Sequence, residues 1–382
     1  MTSAQTSART AWSLDAFTRS ERFVMLGALL LTVLLGVLQG LGAGAVVRFA
    51  VAAVALALLA AVVGDAVEQL GARLTAGATG VLQSALGNLP ELFFGYFALR
   101  QNLVDVVRAT LIGSILANNL LVLGLAFTVG GLRHGTQRFQ REAPRLAVTL
   151  MMLAVSALIL PTLAVSLHTP ASTHVDGLSI ACALVLLGVF IATIPSSLRA
   201  GPVGTPVTRA ESAGSTGGGA PAADQEAHRA WPLSHAVAVL LTASVAAALV
   251  SDWFVDVLTP ATQTLHLSQT FTGLVIVAIA GNAVENVVGV QFAARNQADQ
   301  AVSVILNSPL QIALALGPIL VLASFLLGTA HLTLVLPPLL VVTVALATLL
   351  PTLIVFDGES TWLEGLALIG LYGVIAASFW WG

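Results

Sequence analysis

Two stretches decide the reading of this chain: GNLPELFFGYFALRQNLVDVV, from Gly87 to Val107, and GNAVENVVGVQFAARNQADQAV, from Gly281 to Val302. Gly, Asn and Glu recur in the same order. Each copy then reaches Phe-Ala-x-Arg (Phe97 to Arg100, Phe292 to Arg295), followed by Asp105 in one and Asp299 in the other. Self-similarity of this kind marks an internal duplication. Both copies stand inside apolar runs, which makes their glutamates, Glu91 and Glu285, expensive. A charged side chain at the centre of a membrane helix costs about 2.5–3.5 kcal/mol, so it needs a partner or a function.

The composition around the repeats fits a bilayer. Of 382 residues 57% are hydrophobic and only 9% charged, and the mean hydropathy is +0.95; a soluble domain would carry roughly 25% charged residues. The basic residues are all Arg and the net charge is -3, which excludes a basic nucleic-acid surface. The single cysteine, Cys182, can form neither an intrachain disulfide nor a thiolate cluster. Apolar runs near 24–42, 46–64, 73–98, 104–129, 146–166, 177–195, 233–253, 269–294, 301–327, 332–354 and 361–381 predict an all-α polytopic membrane protein of about 11 transmembrane helices. The expected organisation is an N-terminal tail (1–22), a leading helix (23–42), a first five-helix repeat (46–197), a linker (198–231) and a second five-helix repeat (232–382). The linker, rich in Gly, Ala, Pro, Ser and Thr, has too little apolar surface to offset its ordering entropy.

Arginine placement sets the orientation, because cytoplasmic loops carry the excess of positive charge. With the N-terminus inside, twelve of the fifteen arginines fall on the cytoplasmic side, and only Arg48, Arg100 and Arg108 near the outer one. The C-terminus is then outside. The segment around Asp357 and Glu359 falls inside with no positive charge of its own. In this map the two copies cross the bilayer in opposite directions, which is the signature of inverted-repeat transporters with a midplane ion site.

The residue types suit that task. Gly87 and Pro90 in one copy, and Gly281 in the other, loosen the helix just before the glutamate, and backbone carbonyls freed at membrane depth can coordinate a cation. Asn88 and Asn282 add amide oxygens. Two carboxylates, two amides and nearby carbonyls form an all-oxygen set suited to Ca²⁺, with its six to eight oxygen ligands; Mn²⁺ accepts similar ligands. The chain has neither an HExxH zinc motif nor a GxxxxGK[ST] phosphate loop, so the reading is a transporter and not an enzyme, driven by a stored ion gradient. Ser84, Thr110, Thr272 and Ser303 are read as bonding carbonyls of their own helices.

The stretch from Gly87 through GSILANNLLVLG (Gly113 to Gly124), and that from Gly281 through NSPLQIALALGP (Asn307 to Pro318), resemble the two alpha-repeats of the cation/Ca²⁺ exchanger superfamily. Its Ca²⁺/H⁺ antiporter branch, with one leading helix followed by five plus five, is the most similar. The resemblance implies that Glu91 and Glu285 carry cation or protons, with Asn88, Asn282, Gly87 and Gly281 around them. It places Ser114, Asn118, Ser308 and Gln311 along the pathway, with Asn286 where the branch usually has His. It further implies alternating access, Ca²⁺ and H⁺ as substrates, no cofactor, and the cell (inner) membrane as location; a homo-oligomer is left open. Asn286 and the Pro90-Glu91 pair keep a Na⁺/Ca²⁺-type exchanger as the alternative, ahead of a passive cation channel.

Overall fold

The computed structural model describes residues 17–74, 82, 86–199, 231–327 and 330–380, without the side chains of 195–199, 284 and 285. Its helices are α1 (Arg19–Gly40), α2 (Ala45–Gly71), α3 (Leu89–Arg100), α4 (Val104–Leu116), α5 (Leu123–His134), α6 (Glu142–Ser166), α7 (Val175–Arg199) and α8 (Leu233–Leu265). They continue as α9 (Gln269–Phe271), α10 (Ala278–Gly281), α11 (Ala283–Ala294), α12 (Ala298–Gln311), α13 (Gly317–Leu326), α14 (Pro338–Val355) and α15 (Trp362–Ser378). Among the described residues eight helices are long and apolar enough to cross a membrane, or nine if the bent pair Gln269–Gly281 and Asn286–Ala294 is one span. Trp362–Ser378 is a shorter apolar helix. Part of the expected 73–98 span lies outside the described residues, as do 1–16 of the tail and 200–230 of the linker.

Burial sorts these elements into a core and a lipid-facing shell. In α1 only 11% of the membrane-length window is buried, whereas in the span Val104–His134 the figure is 78%. The leading helix therefore packs on α2 from outside, and the α4–α5 span runs through the middle. α2 lies along α8, α3 also packs on α8, and α5 is held between α11 and α15. Three π-helical turns interrupt the core: Ala117–Val122 between α4 and α5, Thr272–Val277 between α9 and α10, and Ile312–Leu316 between α12 and α13. Such turns are rare and often mark functional sites.

Contacts between loops test the expected sidedness. The 31-residue span Val104–His134 has two opposite ends. At its first end Gln101 Nε2 donates to Asp256 Oδ1 at 2.6 Å, and Arg108 Nε donates to the Thr333 carbonyl at 2.9 Å. At its second end His134 Nε2 lies 3.0 Å from the Ala294 carbonyl oxygen, and Gln137 Nε2 donates to the Ala293 carbonyl at 3.1 Å. There too, β1 (Gln137–Arg138) pairs antiparallel with β2 (Glu359–Ser360), and Arg138 reaches Glu359 at 3.1 Å. Glu359, one of the two acids expected inside without a local cation, thus pairs with an arginine distant in sequence. Each of these contacts joins segments that the arginine map assigns to one side. α3 ends near Asp256 and α11 ends near His134, so these two helices, both 12 residues long, run in opposite directions.

Two local expectations change. The apolar stretch from 332 was read as the start of a helix, but α14 begins at Pro338, because Pro337 and Pro338 push the preceding residues out of the helical region. Residues 331–336 form an extended strap whose backbone is satisfied by hydroxyls of three helices. The Leu332 N–H donates to Ser324 Oγ (2.9 Å), that of Leu334 to Ser179 Oγ (3.0 Å) and that of Leu336 to Thr162 Oγ1 (2.9 Å). Irregular backbone in an apolar surrounding requires such partners. The last residue assigned to the linker, Trp231, is fully buried. Its ring meets Phe17 edge-on at 4.8 Å, its N–H donates to Gln69 Oε1 at 3.0 Å, and Arg73 donates to its carbonyl.

The closest approach in the core is that of α4 to the π-helical turn Thr272–Val277. A Cβ on Gly113 would fall 2.7 Å from the Leu274 carbonyl carbon, and one on Gly273 would fall 2.7 Å from the Val106 carbonyl oxygen. Only glycine at both positions lets the two backbones touch. Gly113→Ala is expected to destabilise the protein by about 1–3 kcal/mol through overpacking, measured as a lower midpoint of thermal unfolding in detergent. An unchanged midpoint would show that this crossing tolerates separation.

Candidate ion-binding site

The site is built from two matched helix starts. Asn88 precedes α3 with φ −97°, ψ 22°, and Asn282 precedes α11 with φ −93°, ψ 23°. The agreement extends past the far ends, where Asn102 and Asn296 both have φ 59°. Duplicated sequence has therefore become duplicated backbone geometry. Pro90, in the first turn of α3, lacks an N–H that would have no partner within the helix at that position. Glu91 and Glu285 are each the third residue of their helix, in the turn where unpaired N–H groups and the helix dipole favour negative charge.

Glu91 is buried, 6% exposed. Its carboxyl group lies against the other copy: a Cβ on Gly281 would stand 2.9 Å from Glu91 Oε1. The glycine that opens the second motif thus makes room for the acid of the first. Gly87 sits in the turn before Asn88. The side chain of Glu285 lies outside the described residues, while its backbone belongs to α11.

Asn282 is the hub. Its Nδ2 donates to Ser114 Oγ at 2.9 Å and to the Ala278 carbonyl at 2.8 Å. Its Oδ1 accepts from Asn118 Nδ2 at 2.9 Å and from the Ser308 hydroxyl at 3.1 Å. Two donors and two acceptor sites are an amide's full capacity, so Asn282 organises its neighbours. Asn118 Nδ2 also donates to the Ser114 carbonyl at 3.0 Å and lies 3.4 Å from Ser308 Oγ. Its own Oδ1 is buried with no hydrogen-bond partner among the described residues. An unsatisfied carbonyl oxygen costs about 1–3 kcal/mol and is the acceptor that a cation or a proton donor would take. Asn88 Nδ2 donates to Gln311 Oε1 at 3.2 Å, tying α3 to the end of α12. Of the sequence-predicted set the structure joins Ser114, Asn118, Asn282 and Ser308 in one network, brings Glu91 against Gly281, and pairs Asn88 with Gln311.

Asn286 stands apart from that network. Its Nδ2 is 3.5 Å from the Ile279 carbonyl oxygen, and its buried Oδ1 has no partner among the described residues. Thr272 bonds the Ser268 carbonyl at 3.0 Å, as expected for a hydroxyl in a span. Thr110 does not follow this rule: its buried hydroxyl is unbonded among the described residues, and it lines a small cavity with Glu91 and Ser114. Its spacing of four residues before Ser114, one helical turn, was the available signal.

Matched helix starts that pack carboxyl, amide and hydroxyl oxygens into the interior of a helical bundle define an ion-carrying membrane protein. The chain belongs to the sodium/calcium exchanger protein family, whose model matches residues 44–195 and 235–381. It is 35% identical over 355 residues to a Ca²⁺/H⁺ antiporter of Synechocystis sp., covering 89% of this chain and 92% of that protein. It is 36% identical over 338 residues to a Ca²⁺/H⁺ antiporter of Aphanothece halophytica, covering 87% and 89%. The solved structure of native YfkE superposes with a TM-score of 0.78 at 28% identity, covering 94% of this chain and 99% of that one.

The hub geometry orders the effects of substitution. Asn282→Ala removes four hydrogen bonds at once and is expected to weaken divalent-cation affinity by on the order of tenfold or more, whereas Asn88→Ala, which removes one, has the smaller effect. Titration of Ca²⁺ into the purified variants measures both. The reverse order would displace Asn282 from the centre of the site.

Proposed function

We propose that this protein is a secondary active antiporter that exports Ca²⁺ in exchange for H⁺, with Glu91 and Glu285 binding cation or protons in alternation. The observation that carries the reading is the buried oxygen network of Ser114, Asn118, Asn282 and Ser308, set beside Glu91 at helix starts that the duplication repeats. The Ca²⁺/H⁺ antiporters at 35–36% identity support the substrate pair. An ionised carboxylate in an apolar interior must be paired, hydrogen-bonded or neutralised by a proton. A site with two such acids holds either a divalent cation or protons, and the empty charged state is disfavoured, which suppresses leakage. The oxygen set is also compatible with other divalent cations.

The architecture belonging to this reading is a leading helix plus two inverted five-helix repeats. It has the N-terminus and linker in the cytoplasm, the C-terminus outside, and the cell (inner) membrane as its location. The opposed directions of α3 and α11, and loop contacts confined to one side of the map, support it. Alternating access is assigned to α2 and α8, which pack extensively on each other and flank the site, sliding against the remainder.

Purified protein in liposomes, with pH and Na⁺ gradients imposed separately, tests the counter-ion. Ca²⁺ uptake is expected to follow the pH gradient and to ignore Na⁺. Glu91→Gln and Glu285→Gln keep side-chain volume while removing charge and proton site, and each is expected to abolish coupled uptake in a folded protein. Wild-type exchange in either variant would refute the assigned roles.

Stoichiometry gives an independent check. Exchange of one Ca²⁺ for two protons moves no net charge, while three Na⁺ for one Ca²⁺ moves one, worth about 2.3 kcal/mol per 100 mV. With two acids in the repeats, a K⁺-diffusion potential is expected to leave the equilibrium Ca²⁺ gradient unchanged at fixed pH gradient. A gradient that shifts with voltage in vesicles without proton leak would return Na⁺, or an unequal proton count, to first place.

A further inference from the structure

The end of α3 carries a polar contact that crosses from the core to the sliding pair α2 and α8. Gln101, the residue that closes α3, donates through Nε2 to Asp256 Oδ1 of α8 at 2.6 Å, and both residues are exposed. Asp252 stands one turn before Asp256 on α8, near enough to Arg100 for their charges to interact. On the proposed orientation this end of α3 lies outside, about 15 Å along the helix from Glu91.

Between Glu91 and that contact the seam of α3 and α8 is filled by rings. Phe94 follows Glu91 by three residues, and its ring centroid lies 5.9 Å from that of Phe254 on α8. Phe254 in turn stacks on Phe49 of α2 at 4.9 Å. All three are buried. Phe49 and Phe254 belong to the sliding pair and Phe94 to the core, so sliding parts Phe94 from Phe254 and leaves the other two together.

The matched end of α11 is tied differently. There Gln137 Nε2 of β1 donates to the Ala293 carbonyl at 3.1 Å and to Asn296 Oδ1 at 3.2 Å, and His134 of α5 lies 3.0 Å from the Ala294 carbonyl oxygen. The duplication repeats the backbone of the two ends, Asn102 and Asn296 both at φ 59°, but not their partners. One end holds α8, and the other holds the core. A bond within the core can persist while α2 and α8 slide; a bond between core and α8 cannot.

We propose that Gln101 and Asp256 form a reversible outer latch, which holds α8 against α3 while the ion site is shut from outside and parts each time the site opens there. The inference rests on the alternating-access reading and deepens it by naming a contact that must break. Its chemistry suits the task. A hydrogen bond to a carboxylate is short and directional, which sets the register of the two helices. Exposure to water keeps such a contact weak enough to open in every cycle.

The test ties the latch shut. In the full chain, with Cys182→Ala removing the native thiol, Gln101→Cys and Asp256→Cys are joined in detergent by a short bis-methanethiosulfonate, and the protein is reconstituted into liposomes. Asp252→Cys replaces Asp256→Cys if the first pair does not fold. Cross-linking is expected to lower Ca²⁺ uptake driven by a pH gradient on the order of tenfold or more, because one of the two states is lost. Ca²⁺ binding by the cross-linked protein in detergent is expected to stay within about twofold, since the site remains open to the other side, and dithiothreitol is expected to restore uptake. Full-rate uptake by protein whose intact mass shows the cross-link, loss of binding together with uptake, no recovery in dithiothreitol, or failure of the folded protein to cross-link would each overturn the latch. Wild-type uptake that ignores the pH gradient would instead overturn the antiport reading, and wild type alone decides that.

Discussion

The structure depends on one constraint: within a bilayer no backbone polar group can be left to water, so a helix may be interrupted only where protein closes the gap. The starts of α3 and α11 are such interruptions. At the second, the Asn282 side chain returns to the Ala278 carbonyl while the rest of its amide binds Ser114, Asn118 and Ser308. The group that repairs the helix is therefore the group that assembles the site. At the first, the side chain of Asn88 spans to Gln311 of α12, so each interruption draws on the opposite copy for its partners.

The same constraint explains features far from the site. The strap 331–336 is extended because two prolines follow it, and it is tolerated because Ser324, Ser179 and Thr162 supply hydroxyls to its N–H groups. Arg108 donates to its carbonyl at Thr333. This segment belongs to the second half of the chain and rests on α4, α6 and α7 of the first. The halves are thus joined by polar satisfaction as well as by apolar packing, which in lipid has little hydrophobic drive behind it. Close backbone approach at Gly113 and Gly273 supplies the dispersion contact that replaces it.

Function follows from placing scarce polar groups in this setting. Glu91 touches Gly281, the hydroxyls of Ser114 and Ser308 converge on one amide, and Asn118 keeps an oxygen in reserve. The core carries these groups, while α2 and α8, with α1 outside them, form the layer against which it is packed. The knot of Phe17, Trp231, Gln69 and Arg73 fastens both the tail and the linker's end to one end of α2.

The sequence by itself determined the apolar segments, their pairing into two copies and the helix-loosening residues before Glu91 and Glu285. These are local or periodic properties: hydrophobic run length and helix-breaking residues act within a few residues of where they are written. Tertiary structure alone decided that Asn282 is the hub, that Gly281 receives the Glu91 carboxyl, that 331–336 is strap and not helix, and that Trp231 is buried. Thr110 illustrates the boundary. Its spacing from Ser114 placed both on one helix face, but that its hydroxyl leaves its own helix unbonded among the described residues, next to Gly273 of a different helix, is set only in the folded bundle. Periodicity states which face of a helix is apolar; it does not state which other face it will meet, because in a membrane that choice is made by packing and polar pairing between segments distant in sequence.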